Sequence, residues 1–253
     1  MRIGLLGLLL LSGFTAIAAD DKEAPPEEVI KKFAAKEAEF AKARENYTYR
    51  QTLKIQELSP SGALGGKHEM VSDIIFSNDG KRTEKVVRAP VSTLTLLLTP
   101  EDEQDLRNVQ PFVLTTNEIS KYEIRYLGKQ KVDDIPCYQF AVKPKKMEQG
   151  QRYFEGEIWV DDRDLQIVKT YGKGVGLLKK GSDNQFPRFE TYREQIDGKY
   201  WFPTYTRADD TLHFKDHDQR MRMTVKYEDY KQFKSQTNIT FGEEVKDPPP
   251  AKK

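Results

Sequence analysis

Beyond residue 46, apolar residues return at every second position in one short segment after another. That period of two dictates a β-sheet with one covered face. In residues 47–58, Tyr47, Tyr49, Leu53 and Ile55 fall on one face, and Thr48, Arg50, Thr52 and Lys54 on the other. Met70, Ile74 and Phe76 carry the pattern through a second strand, and residues 81–89 read as a polar edge strand. Asn78-Asp79-Gly80 has the composition of a tight hairpin between them. Later strands show the same alternation: Tyr122, Ile124 and Tyr126; Tyr138, Phe140 and Val142; Phe154, Ile158 and Val160; Met221, Met223, Val225 and Tyr227. Asp197-Gly198 is the strongest two-residue hairpin signal, because both residues accept positive φ. The links are short and no strand–helix–strand alternation is present, so the sheet is expected to be antiparallel, with about ten strands.

A sheet with one apolar face needs a cover, and residues 25–44 supply a helix. Pro25 and Pro26 suit a first turn, Glu27 and Glu28 the positive end of its dipole, and Lys42 and Arg44 the negative end. Val29, Ile30, Phe33, Ala34, Phe40 and Ala41 form an apolar stripe. Glu37 falls inside that stripe, so its carboxylate must reach an edge or find a partner. Residues 91–120 interrupt the strands. Thr93 to Leu98 is strongly apolar and runs into Thr99-Pro100-Glu101-Asp102, a start signal for a short helix. This segment is a candidate flap over one face. The expected class is α+β: a curved antiparallel sheet packed by the N-terminal helix and short helices.

Residues 1–18 read as a cleaved signal peptide, with Arg2, an apolar run from Gly4 to Leu11, and Ala16 and Ala18 at the cleavage site. No cysteine follows the run, so lipid modification of the N-terminus is not expected. Residues 19–245 read as a single domain and residues 246–253, with Pro248 to Pro250, as a disordered tail. The mature product is expected to be exported, without a lipid anchor.

Composition narrows the chemistry. With 41 basic and 40 acidic residues there is no net basic field to attract nucleic acid. One cysteine excludes an intrachain disulfide, and three histidines leave little for a metal centre. Cys137 reads as a small strand residue. His213 and His217, four apart, fall at a hairpin tip and read as solvated. Gly172-Lys173-Gly174-Val175-Gly176 fits neither phosphate-binding template and reads as a flexible loop. No constellation activates a nucleophile, so neither an enzyme, a metal nor a cofactor is expected. The informative feature is the supply of large apolar side chains on a wide sheet, which suits a hollow for an acyl chain. The candidate cavity residues are Tyr49, Phe76, Leu96, Leu98, Phe154, Ile158, Trp159, Trp201 and Phe202.

The succession of signal peptide, long helix and antiparallel strands resembles the bacterial lipoprotein-carrier superfamily of LolA, LolB and RseB. The likeness is best at residues 157–169, where Trp159 leads through an acidic turn, Asp161 to Asp164, into a departing strand. Gln166 stands where those carriers usually have proline. Residues 197–203, from Asp197-Gly198 to Trp201-Phe202-Pro203, resemble their later hairpin. The resemblance implies an open half-barrel with an apolar cavity for lipoprotein acyl chains. It implies a carrier that shields lipid or lipoprotein acyl chains, in outer-membrane lipoprotein sorting. The alternative it implies is an RseB-like sensor or interaction module with an envelope protein partner. A monomer with peripheral membrane contact is the expected state. Arg50 lies on the polar face of its strand and takes no cavity role.

Overall fold

The computed structural model describes residues 26–77 and 81–233. Helix α1 (Pro26–Arg44) leads into β1 (Tyr47–Leu58), β2 (Leu64–Phe76) and β3 (Arg82–Arg88). A short helix α2 (Pro100–Gln104), a wide turn (Asp105–Val109) and a tight turn (Ile119–Lys121) follow. Then come β4 (Tyr122–Val132), β5 (Ile135–Pro144), β6 (Tyr153–Asp161), β7 (Ile167–Val175), β8 (Phe189–Ile196), β9 (Tyr200–His213) and β10 (Asp218–Gln232). All ten strands form one sheet in the order β3-β2-β1-β10-β9-β8-β7-β6-β5-β4. Every pairing is antiparallel, and all but one join neighbours in sequence.

The exception joins the two arms of the meander: β1 pairs β10, with Tyr47 opposite Gln232 and Leu58 opposite Arg220. The sheet curves but does not close, so β3 and β4 remain as edges. β3 is nearly all exposed, as its polar sequence led one to expect, and its Arg82, Lys85 and Arg88 are the charges with which edge strands discourage stray pairing. The expected signal peptide, the expected turn at Asn78-Asp79-Gly80 and the expected tail lie outside the described residues.

α1 lies on the apolar face. Val29, Phe33, Ala34 and Phe40 are buried; Phe33 packs on Phe140 at 5.5 Å between ring centres and Phe40 meets Phe202 edge-on at 5.1 Å. Glu37 is fully buried in the middle of this stripe. Its partner is Arg193 of β8, whose guanidinium donates to both carboxylate oxygens at 3.1 and 3.2 Å. The Ile167 N–H donates to the same carboxylate at 3.0 Å, and Arg193 also donates to the carbonyl of Phe112. One ion pair thus ties helix, sheet and the 109–114 segment together, with every charge hydrogen-bonded.

The hairpin at Asp197-Gly198 forms with φ of 55° and 66°, the left-handed pair that a two-residue turn needs. The reading of residues 172–176 as a loop is corrected: Gly172 to Val175 belong to β7. The missing side chains of Gly172 and Gly174 serve close packing. A Cβ on Gly172 would sit 2.3 Å from the Glu155 carbonyl oxygen across the β6–β7 pair, and one on Gly174 would sit 1.9 Å from the Asp105 carboxylate.

Cys137 is buried, and burial pushes its thiol up to about 12, so it is a packing residue with little thiolate at neutral pH. His213 and His217 are exposed at the β9–β10 turn, each on its own aspartate at 2.8 and 2.7 Å. Among the described residues no cluster of histidine, cysteine and carboxylates could hold a metal.

Candidate functional site: an apolar crevice under the 96–106 segment

The residues that build the crevice come from the central strands. Ile55 of β1, Met223 of β10 and Ala208 of β9 lie opposite one another in register, so their side chains form one row on the α1-covered face. Met221 lies one pleat along on the same face and Leu212 near the end of β9. Ile55, Leu212, Met221 and Met223, with Phe189 and Phe214, form a floor that is aliphatic, thioether and aromatic. Leu96, Leu97, Leu98 and Leu106 form the roof.

Buried polar anchors hold the roof at both ends. At one end the Glu57 carboxylate accepts from the Thr95 N–H (2.7 Å), the Thr95 hydroxyl (2.8 Å) and the Leu96 N–H (2.7 Å). Thr99 then caps α2 with Asp102, each satisfying the other's backbone N–H. At the far end Arg152, just before β6, clasps Asp105 through two hydrogen bonds of 2.8 and 2.6 Å. Burial pushes the Asp105 carboxyl up to about 6, although Arg152 draws it down. We expect the Asp105 carboxyl carbon resonance to titrate near pH 6 and to move higher in Arg152→Gln; a midpoint at or below 4 would contradict this placement.

Gly174 makes room for that clasp. The carboxylate cannot swing aside without losing Arg152, so Gly174→Ala is expected to cost about 1–3 kcal/mol, as overpacked sites do. Urea denaturation measures this, and an unchanged midpoint would show that the clasp is slack.

The flap expected over residues 91–120 divides in two. Val109, Phe112 and Leu114 are buried, and Phe112 stacks on Phe154 at 4.6 Å, so this half is core. The other half covers the crevice loosely: Leu97 is 84% exposed. The hollow expected under the sheet is for the most part filled by α1 and residues 109–114. What stays open beneath the roof is a crevice of about 80 Å³, well under the ~300–1,000 Å³ of sites that enclose a small molecule. A larger cleft of about 700 Å³ lies on the other side of the wide turn, bordered by Arg44, Lys121 and Arg152. Its lining is mainly polar, which does not suit a hydrocarbon chain.

The structure scatters the residues singled out from the sequence. Leu96 and Leu98 line the crevice. Phe154 and Ile158 are fully buried core. Tyr49 lies against Tyr230 at 5.0 Å between ring centres, and Phe76 is buried near the β3 edge. Phe202 packs with Phe40 and Tyr47 under α1. Trp159 and Trp201 stand on the opposite face with Cys137 and Val168, their indole N–H groups donating to Gln130 (2.8 Å) and Asp164 (3.0 Å). Adjacent residues alternate faces, so Trp159 cannot share the side of Ile158. Sequence reasoning missed Ile55, Leu212, Met221 and Met223, whose alternation is that of ordinary core.

No family model matches the chain, and no curated protein matches it. Among solved structures, it is similar to a DUF1329 family protein from Desulfovibrio piger (TM-score 0.46, 14% identity, covering 82% of this chain and 93% of that one). It is also similar to a LolA superfamily protein from Nitrosomonas europaea (0.37, 12%, 82% and 93%). A third similar structure is MucB (0.28, 14%, 82% and 94%).

Proposed function

We propose that this protein binds an acyl chain of a lipid or lipid-modified protein in the crevice, as an exported carrier in the periplasm. The observation that carries the reading is the crevice itself: an aliphatic and thioether floor under a leucine roof that covers it loosely, with Leu97 largely exposed. Export is supported by the apolar leader in residues 1–18. The protein acts by holding its ligand, with no step of catalysis.

The present volume sets a condition. A chain enters only if the stretch between the Glu57 and Asp105 anchors moves outward. Met221 and Met223 suit such a floor, because unbranched thioethers repack around different shapes. Each buried methylene contributes about 0.8 kcal/mol, so about ten supply roughly 8 kcal/mol before the costs of ordering the chain and moving the roof.

The test is native mass spectrometry of protein purified from an envelope fraction, with titration of a pyrene-labelled acyl ester. Co-purifying acylated molecules and saturable binding of the probe are expected. Protein free of lipid that also fails to bind the probe overturns the reading.

A further inference from the structure

The wall of the crevice carries a polar group that its surroundings leave unsatisfied. Gln110, at the end of the wide turn, lines the crevice and is only 3% exposed. Its Oε1 is buried without a hydrogen-bond partner. Its Nε2 has only a weak contact, a 3.5 Å donation to the Met223 sulfur. The backbone beneath is fixed: the Gln110 N–H donates to the Asp105 carbonyl at 2.8 Å, and its carbonyl accepts from the Thr191 hydroxyl at 3.0 Å. Thr191 in turn shares a hydrogen bond with Thr206 at 2.8 Å, deep in the sheet.

A buried acceptor without a donor costs free energy in the empty protein and regains it when a ligand brings one. The residue is therefore preorganised to accept a hydrogen bond in a crevice that is otherwise apolar at its floor. The donor should be neutral, not cationic, because it enters with a hydrocarbon chain. The ligand head should not be anionic either, because Asp102 and Asp105 border the same crevice. At the root of an acyl chain, where the apolar floor ends, the neutral donor available is an amide N–H; an ester has none there.

We propose that the crevice takes amide-linked acyl chains, with Gln110 Oε1 accepting the amide N–H. This rests on the acyl-binding reading above and specifies its ligand. An ester of the same length offers only acceptors to that oxygen, so the site discriminates the two linkages.

The test uses two amphiphiles that differ in one atom group, N-(2-methoxyethyl)dodecanamide and 2-methoxyethyl dodecanoate, titrated below their micelle concentrations by calorimetry. The wild-type protein is expected to bind the amide about five- to tenfold more tightly, the effect of one net hydrogen bond. Gln110→Leu is expected to abolish that preference while still binding the ester; Gln110→Met gives the same comparison if the leucine variant folds poorly. Equal affinities in the wild type, or a preference that survives both substitutions, overturn the amide assignment and leave acyl binding intact. Failure of both amphiphiles to bind the wild type overturns acyl binding as well.

Discussion

Glu37→Ala is expected to lower the unfolding free energy by about 3–5 kcal/mol, the usual cost of breaking a buried ion pair on one side. The loss arises on the partner: Arg193 is 1% exposed and would keep its charge with only the Phe112 carbonyl left to it. The Ile167 N–H would lose its acceptor too. At this chain length each kcal/mol shifts the melting temperature by roughly 2–4 °C, so a fall on the order of 10 °C should be seen. The double variant Glu37→Leu with Arg193→Met removes both charges and fills similar volume. It should recover most of the loss, because the pair's desolvation cost disappears with it. A single variant within about 1 kcal/mol of wild type in urea denaturation would show that the pair is hydrated.

Leu212→Trp is expected to weaken acyl binding at least tenfold, or about 1.4 kcal/mol, with little change in overall fold. Leu212 lies on the crevice floor, and the indole takes the room that a chain needs. Its own cost to stability should be about 1–3 kcal/mol, since the crevice absorbs part of the added bulk. Trp159→Phe, on the opposite face, should leave the probe's affinity unchanged. Equal losses from both would mean that binding follows general stability and not occupancy of the crevice.

The sheet and the helix were legible because each has a period that composition cannot disguise. Tyr47–Leu58 alternates every second residue, and Val29, Phe33 and Phe40 fall on one helical stripe. The need for a partner at Glu37 was also legible, since a carboxylate in an apolar stripe has few choices. Its identity was not: Arg193 sits 156 residues away on an unremarkable strand. Gly172 and Gly174 misled, because glycine reads as a turn when its neighbours in sequence are the only ones known. In the fold each leaves space for an atom from elsewhere, a backbone carbonyl or the Asp105 carboxylate. The crevice was hidden for a related reason. Met221 and Met223 carry the pattern of any buried strand, and only the position of the 96–106 roof decides that they face free space. Trp159 and Trp201 drew notice by size, although their parity in the strands had already set them on the other side.

A hydrocarbon chain is expected to lie between the 96–106 roof and the floor of β1, β9 and β10. This placement is tested most directly by photolabelling with a diazirine-bearing dodecanoyl amide followed by peptide mapping. Adducts are expected on residues 96–106 and on the stretch from Leu212 to Met223, suppressed by excess unlabelled amphiphile. Adducts confined to the Trp159 and Trp201 face, or none that competition removes, would contradict it.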